Sequence, residues 1–503
     1  MKMSVRGELV FIWFVLGYGL YYLTGTYIFL PVMIFAAPIF ILHLLEKQEL
    51  FEAWIFSFIG FVLTVQLSTL PFLNYEGAAW WYSGFLKNFL IAAGVALPYW
   101  LTRLVYHRNC GFVYTIVFPV FTTSVYFILS KTSVFSGVSG FSHYLQADNK
   151  WMIQLASLGG IWVIVFIISW ASSIVCWIWN NGVNSMRSSG GIILFLFICF
   201  ILVFYGNIRI SSINSSSKYS NNTVRIAAVG MSEKDDYSLD KIFRHENRPV
   251  YEKQLETIEK RAEEAAMNEC RVVVFPEYAF FVNEDEDKGL RDELSRISKD
   301  NKVYVVLGYF KDVTQNAAED DSSDKIHDSL NKGISCVLMF DVTGEIVAEY
   351  HKKSLYKEEK PYVYNTEGTI SIAATPFGNI ALLSRKDMDY AYNVKNAVSR
   401  NADIVICSDL GYVPDKAGIH SMIGRSVENG FSIVNISYNG LSYAIDSYGR
   451  IRNIVGAGKV LYADVPLKRV NNVYGAVGDF FAWIIVVLSC VFLVNVFFPF
   501  FNF

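Results

Sequence analysis

The sequence predicts an α-helical membrane bundle joined to an α/β domain of layered sheets and helices. Residues 1–208 contain several apolar runs of about 20 residues, the length that crosses a bilayer core. Residues 215–475 have the composition of a soluble domain, in which short apolar strands alternate with amphipathic helices. A further apolar run at 479–501 follows this domain.

The overall composition supports a membrane protein and excludes some classes of partner. The chain is 53% hydrophobic and only 18% charged, which is too apolar for an ordinary soluble protein. A net charge of −3 without a basic block argues against a nucleic-acid partner. The seven cysteines show neither a Cys-x-x-Cys pair nor metal-ligand spacing, so we expect no disulfide framework and no metal site.

Seven membrane spans are predicted before the soluble part and one after it. Their bounds are about 8–24, 27–45, 53–72, 83–105, 110–129, 152–179, 190–208 and 479–501. The positive charges near the span ends favour a cytoplasmic N-terminus, with Lys2, Arg6, Lys47, Arg103, Arg108 and Arg187 inside, and Lys131 and Lys150 outside. This bias predicts a multi-pass protein of the cytoplasmic (inner) membrane whose soluble domain lies on the extracytoplasmic side.

The domain organisation follows from these shifts in composition. We expect a membrane bundle at 1–208, a Ser/Asn-rich linker at 209–222, the α/β domain at 223–470 and a C-terminal membrane helix within 471–503.

Within the α/β domain, apolar runs and turn residues place the elements in order. Strands are predicted at 224–229, 272–276, 303–308, 334–341, 345–349, 380–383, 403–407, 432–437, 442–446 and 458–464. Helices are predicted at 250–268, 288–299, 391–401 and 416–428. The alternation predicts layered sheets flanked by helices.

One stretch of this domain has the form of a nucleophile elbow. Residues 380–383 form an apolar strand, Ser384 to Lys386 are polar, and a helix follows from Ala391. A sharp turn between a strand and a helix holds a side chain where a substrate can reach it. Glu277 and Lys352 also follow predicted strands, so their side chains are candidates for the same site.

These three stretches resemble the nitrilase (carbon–nitrogen hydrolase) superfamily. The matching residues are Pro276-Glu277, the Tyr-x-Lys-x-x-Leu pattern from Tyr350 to Leu355, and Lys-Asp-Met-Asp-Tyr at 386–390. The resemblance implies an α-β-β-α layered sandwich and a Glu–Lys–Cys triad. Glu277 would be the general base and Lys352 would stabilise the oxyanion. The family's Cys position, however, falls on Arg385.

Seven spans, such a domain and one more span together resemble the apolipoprotein N-acyltransferase family. That resemblance implies transfer of an acyl chain from a phospholipid donor to the N-terminal Cys of a lipoprotein acceptor at the bilayer, with no cofactor. The family's supporting Glu falls on Lys360, with Glu359 one residue early. Further pocket residues implied by the resemblance are Asp409, Tyr412 and Glu428.

An arginine cannot attack a carbonyl, because its guanidinium stays protonated and has no usable lone pair. Three accounts remain open, besides a misplaced alignment of the elbow. In the first account, the protein is a non-catalytic relative in which Arg385 pairs with Glu277 and lowers the pKa of Glu277. In the second account Ser384 is the nucleophile, and in the third Cys407 is the nucleophile. The corresponding functions are an inactive protein that binds lipid or lipoprotein, an acyltransferase with an unusual nucleophile, or another membrane-bound amidase.

Overall fold

A computed structural model describes most of the chain, and its contacts divide the chain into two compact units. The first unit comprises residues 1–212, 415–424 and 472–503, and the second comprises 213–414 and 425–471. The described residues are 5–24, 30–69, 79–105, 111–132, 146–182, 186–215, 222–231, 251–313, 332–356, 358–368, 371–411, 416–467 and 469–498.

The first unit is helical. Its long helices are α1 (Val5–Tyr22), α2 (Met33–Glu46), α3 (Leu50–Thr69), α4 (Ala79–Val105), α5 (Val117–Leu129), α8 (Ile161–Asn181), α9 (Met186–Ser215) and α15 (Phe480–Phe497). Short helices are α6 (Lys150–Ile153), α7 (Ala156–Gly159) and α14 (Val473–Val477), and a 3₁₀ turn at Phe112–Ile116 precedes α5.

Six helical segments in the described residues are long and apolar enough to cross a membrane: Leu50–Ser68, Gly84–Val105, Phe112–Leu129, Ile161–Asn181, Ser189–Ser212 and Phe480–Phe497. The third joins the 3₁₀ turn to α5, and the apolar parts of α1 and α2, Val10–Tyr22 and Met33–Glu46, are shorter. The predicted span at 152–179 differs most from the structure. It is divided into α6, α7 and α8, because Gly160 has a φ of 71° and separates α7 from α8. The apolar pattern continues through this break, which is why it was not predicted.

Polar contacts join the helical segments of this unit. The Trp170 indole donates to Thr115 Oγ1 at 3.1 Å, and the Ser172 hydroxyl donates to the Phe35 carbonyl at 2.8 Å. Such hydrogen bonds between helices hold a membrane bundle together where apolar burial alone offers little difference from lipid.

The second unit contains two six-stranded sheets. The first sheet has the order β12-β1-β2-β3-β4-β5 and the second has the order β11-β10-β9-β8-β7-β6. Their strands are β1 (Thr223–Val229), β2 (Val272–Val282), β3 (Tyr304–Asp312), β4 (Gly333–Phe340), β5 (Ile346–His351), β6 (Ile372–Thr375), β7 (Gly378–Ser384), β8 (Ile404–Asp409), β9 (Ser432–Ser437), β10 (Ser442–Ile445), β11 (Ile451–Val455) and β12 (Val460–Pro466).

The helices of this domain are α10 (Tyr251–Met267), α11 (Glu284–Asn301), α12 (Ala391–Ser399) and α13 (Lys416–Asn429), whose first residues belong to the other unit. Ile258 and Ala262 of α10 and Leu294 of α11 pack in one core with the strands of the first sheet. This core buries the apolar stripe of each helix, as the sequence pattern predicts.

All the predicted strands are present, and two short strands were missed. β6 has only four residues, and β11 is exposed along most of its length, so neither presents a clear apolar run. The layered fold class predicted from the sequence is confirmed.

Candidate functional site

Glu277 lies at an irregularity in β2. The pairing of β2 with β3 shifts between Phe275 and Phe280, and Tyr278 has a φ of 57°. This left-handed conformation is uncommon for a bulky side chain and is tolerated where the surrounding structure imposes it. Gly308 of β3 makes room, because a Cβ atom there would lie 2.5 Å from the Pro276 carbonyl oxygen. The bulge therefore sets the direction of the Glu277 side chain.

Two carboxylates share one ammonium in the interior of the domain. Lys352 Nζ lies 2.9 Å from Glu277 Oε1 and 2.6 Å from Glu359 Oε1. The Ser335 hydroxyl donates to Glu277 Oε1 at 2.8 Å. All three charged side chains are at most 1% exposed. We call Glu277, Lys352, Glu359 and Ser335 the triad cluster.

Glu359, and not the residue at position 360, supports the lysine. Its Oε1 accepts a hydrogen bond from the Tyr278 hydroxyl at 2.9 Å, and its Oε2 accepts one from the Tyr356 backbone N–H at 2.8 Å. Lys360, the residue on which the family's supporting Glu falls in the sequence comparison, is exposed. The carboxylate that contacts the lysine therefore comes from the preceding residue. The supporting carboxylate is present although the sequence alignment placed it one residue early.

Burial and the shared ammonium shift the proton affinities of this cluster. Burial raises the pKa of Glu277, Lys352 lowers it, the neighbouring Glu359 raises it again, and the result is about 7. Burial lowers the pKa of Lys352, but the two carboxylates raise it well above its ordinary value. Two carboxylates around one ammonium carry an excess negative charge, which a proton on Glu277 removes.

The elbow turn follows β7, as the sequence predicts. The Arg385 backbone N–H donates to the Ser408 carbonyl at 2.8 Å, which continues the pairing of β7 with β8. A 3₁₀ turn at Asp387–Asp389 then leads to α12. Arg385 Nη1 donates to Asp389 Oδ1 at 2.9 Å, and Lys386 Nζ donates to Asp389 Oδ2 at 3.1 Å. Two cations of the elbow therefore share one carboxylate.

Arg385, the residue on which the sequence resemblance places the family's nucleophile position, is a buried cation. Only 8% of this residue is exposed. Burial lowers its pKa, but Asp389, Tyr443, Tyr356 and Asp409 raise it well above the ordinary value of arginine. The guanidinium is therefore held in its charged form. We call Arg385, Lys386 and Asp389 the elbow cluster.

Asp387 is a structural residue of the elbow. Its carboxylate accepts hydrogen bonds from the hydroxyls of Tyr350 and Ser384 and from the Ser354 backbone N–H, the last at 2.8 Å. Asn393 donates to it as well, at 3.0 Å. These bonds join the ends of β5 and β7 to the start of α12.

The predicted pocket residue Glu428 lies beneath the elbow. It forms an ion pair with Arg425 at 2.7 Å, and both residues are 1% exposed. Arg425 also donates to the backbone carbonyls of Met388 and Asp389, each at 3.0 Å. The pair supports the turn from below, as expected for a structural role.

The structure assigns different environments to the other candidates. The Ser384 hydroxyl donates to Asp387 Oδ2 at 2.9 Å, so it faces the structural carboxylate. Cys407 is completely buried in β8, and burial raises its pKa well above the ordinary value of a thiol. Asp409 ends β8, and its charge acts on Arg385. Tyr412 lies outside the described residues.

The expected pairing of Arg385 with Glu277 is wrong. Within the described residues, Glu277 is paired with Lys352, whereas Arg385 is paired with Asp389. The expected lowering of the Glu277 pKa is wrong for the same reason, because burial raises it. Lys352 and Arg385 both lie near Tyr356. Lys352 Nζ is 5.1 Å from the centre of the Tyr356 ring, and the positive charge of Arg385 acts to lower the pKa of Tyr356.

Sequence reasoning missed Ser335, Tyr278, Lys386 and Asp389 as members of these clusters. Ser335 and Tyr278 belong to strands whose residues are buried almost throughout, so the sequence pattern contains no sign of their polar role. The Asp-Met-Asp run was a usable signal for Asp389, because it directly follows two cations. Within the described residues, no group of His, Cys, Asp and Glu is arranged to hold a metal ion.

Residues 225–474 match the family model described as carbon-nitrogen hydrolase. No curated protein sequence matches the chain.

Similar solved structures include an amidase from Nesterenkonia sp., with 18% identity and a TM-score of 0.39, covering 49% of this chain and 92% of the amidase. A variant of the Nesterenkonia sp. AN1 amidase in complex with butyramide has 19% identity, a TM-score of 0.39 and coverage of 49% and 92%. Because residues 225–474 match this family model, the chain contains a carbon–nitrogen hydrolase domain of the nitrilase superfamily.

Proposed function

We propose that this protein is a membrane-anchored relative of the carbon–nitrogen hydrolases that binds lipid or lipoprotein and forms no acyl-enzyme. The observation that carries the proposal is the buried Arg385 guanidinium at the elbow, paired with Asp389. Acyl transfer through a covalent intermediate needs a nucleophile at this point, and a guanidinium kept in its charged form supplies none.

The two relocated nucleophiles have unsuitable surroundings. The hydroxyl of Ser384 donates to Asp387, and neither Glu277 nor Lys352 contacts it among the described residues. Cys407 has no exposed surface, and its raised pKa disfavours the thiolate that attack requires. Both features support a role without turnover.

The second candidate is the acyl transfer that the apolipoprotein N-acyltransferase resemblance implies, from phospholipid to the N-terminal Cys of a lipoprotein. The intact triad cluster favours it, because Glu277 has a pKa near 7 and is suited to proton transfer, and because Lys352 is held beside it. In that case the enzyme uses a nucleophile outside the elbow position.

The decisive experiment is the intact mass of the full chain after incubation with phospholipid in detergent. We expect no adduct on the wild type and an acyl thioester on Arg385→Cys. In that variant Glu277 would take the proton of the cysteine thiol, and the sulfur would bond to the acyl carbon. The ester C–O bond would break, and Glu277 would pass the same proton to the lysophospholipid oxygen. The adduct should be released by hydroxylamine.

Two variants separate the candidates. An adduct on the wild type that disappears in Ser384→Ala or Cys407→Ala would contradict the proposal and identify a relocated nucleophile. The N-terminal mass of a lipoprotein incubated with the protein and phospholipid gives the matching readout for transfer. A gain in mass by one acyl chain with the wild type would establish the second candidate.

The proposal includes the location of the domain outside the cytoplasmic membrane. It rests on the bias of Lys and Arg towards the inner ends of the predicted spans. We expect an impermeant thiol reagent applied to intact cells to label a single cysteine introduced at Asn222, in a background where the native cysteines are replaced. Labelling only after the cells are lysed would place this residue in the cytoplasm and contradict the expected orientation.

A further inference from the structure

Lysine and tyrosine side chains form a row of contacts from the elbow to the surface of the domain. Lys386 Nζ lies 5.3 Å from the centre of the Tyr356 ring and 5.7 Å from that of Tyr390. The Tyr390 and Tyr392 rings are 5.8 Å apart, and Lys353 Nζ lies 5.3 Å from the Tyr392 ring. We call these five residues the lysine–tyrosine track. It leads from the buried ammonium of Lys386 to Tyr392, which is 52% exposed, and to Lys353.

Two lysines lie at the surface end of the track. Among the described residues, no ion pair joins Lys353 to a carboxylate, and its ammonium lies over the Tyr392 ring. Lys395 is exposed one helical turn after Tyr392, on the same face of α12. α12 contains no acidic residue. At the inner end, by contrast, Asp389 already compensates Lys386.

We propose that the surface end of the lysine–tyrosine track binds the phosphate of an anionic phospholipid headgroup. Lys353 and Lys395 supply the charge, and Tyr392 supplies an amphipathic ring of the kind enriched at the membrane interface. Clustered lysines attract anionic lipids, whereas a zwitterionic headgroup offers them little net charge.

Lipid is the occupant that the chain favours. Six of its described helices are apolar and long enough to cross a membrane. In sequence, the domain is bracketed by two of them, since β1 begins at Thr223 soon after α9 ends at Ser215, and α15 follows at Phe480. The domain is thus tethered at both ends to bilayer-spanning segments. The inference deepens the proposed binding role and rests on it for the class of ligand.

The test is retention of phosphatidylglycerol and of phosphatidylcholine by the full chain in detergent, measured by native mass spectrometry. We expect the wild type to bind phosphatidylglycerol preferentially. The double variant Lys353→Gln/Lys395→Gln should weaken that binding about fivefold for each lysine, since one lysine near an anionic surface contributes about 1 kcal/mol. Lys353→Arg/Lys395→Arg should retain the preference, because it keeps both charges.

The matched control is Lys253→Gln/Lys260→Gln, which removes two exposed charges from α10. An unchanged affinity in the Lys353/Lys395 double variant, or an equal loss in the α10 control, would overturn the inference. So would displacement of the lipid by equimolar inorganic phosphate or by a poly-glutamate peptide, which would point to a free anion or an acidic protein. None of these outcomes depends on the acyl-adduct experiment, so the two proposals can fail separately.

Discussion

The triad cluster and the elbow cluster lie in one domain, are both charged and buried, and differ in how their charges are compensated. In the triad cluster one ammonium serves two carboxylates. In the elbow cluster one carboxylate serves two cations. The first arrangement contains the Glu and the Lys that the resemblance to the carbon–nitrogen hydrolases implies, and the second has Arg385 where that resemblance implies a cysteine.

The structure also shows how a buried arginine is compensated at the elbow. A lone arginine in the interior would be costly, because an unpaired buried charge loses its hydration without compensation. Asp389, with its Oδ1 2.9 Å from Arg385 Nη1, supplies that compensation within the same turn. The triad cluster then needs no rearrangement, since Glu277 keeps its own partner.

We expect the largest loss of stability when the single ammonium of the triad cluster is removed. Lys352→Met leaves Glu277 and Glu359 buried together without a cation, so the free energy of unfolding should fall by about 3–5 kcal/mol. Arg385→Met should cost only about 1–2 kcal/mol, because Asp389 keeps Lys386 as its partner. Denaturant unfolding of the full chain in detergent measures both, with exposed Lys260→Met as the control. Equal losses for Lys352→Met and Arg385→Met would remove the distinction between the clusters.

The second largest expected effect is a dependence of the free energy of unfolding on pH, caused by the titration of Glu277. Its folded-state pKa of about 7 exceeds the ordinary glutamate value, so the folded protein binds this proton more tightly than the unfolded chain. The stabilisation is therefore full below about pH 4.5 and decreases as pH rises to about 7, by about 3 kcal/mol in total.

Unfolding measured across this pH range should show a smaller decrease in Glu277→Gln, which cannot lose a proton. The exposed Glu263→Gln on α10 is the matched control and should follow the wild type. A slope that survives unchanged in Glu277→Gln would show that another group titrates there. Such a result would also weaken the case for Glu277 as a proton-transfer group.

Much of the fold was predictable because each strand and helix has a local pattern. The apolar runs located every strand of the two sheets except β6 and β11, and the alternation predicted the layers. The order of strand ends also predicted that Glu277 and Lys352 meet, since each follows an apolar strand. The contact between Glu359 and Lys352 was harder to predict, because Glu359 lies one residue before the position that the family pattern indicates. The backbone after β5 still brings its carboxylate to the lysine.

By itself, the sequence determined the apolar helical segments, the class of the α/β domain and the identity of the residue at the elbow. Composition and periodicity are local properties, and a guanidinium lacks nucleophilic chemistry in any environment. Only the tertiary structure decided which charges pair. Arg385 selects Asp389 because the 3₁₀ turn brings i and i+4 together, while the bulge in β2 directs Glu277 to Lys352. The Arg385–Asp389 pair is local in sequence, whereas Glu277 and Lys352 are 75 residues apart. Ion pairing depends on distances of a few ångströms and on burial, which the spacing of such distant residues does not encode.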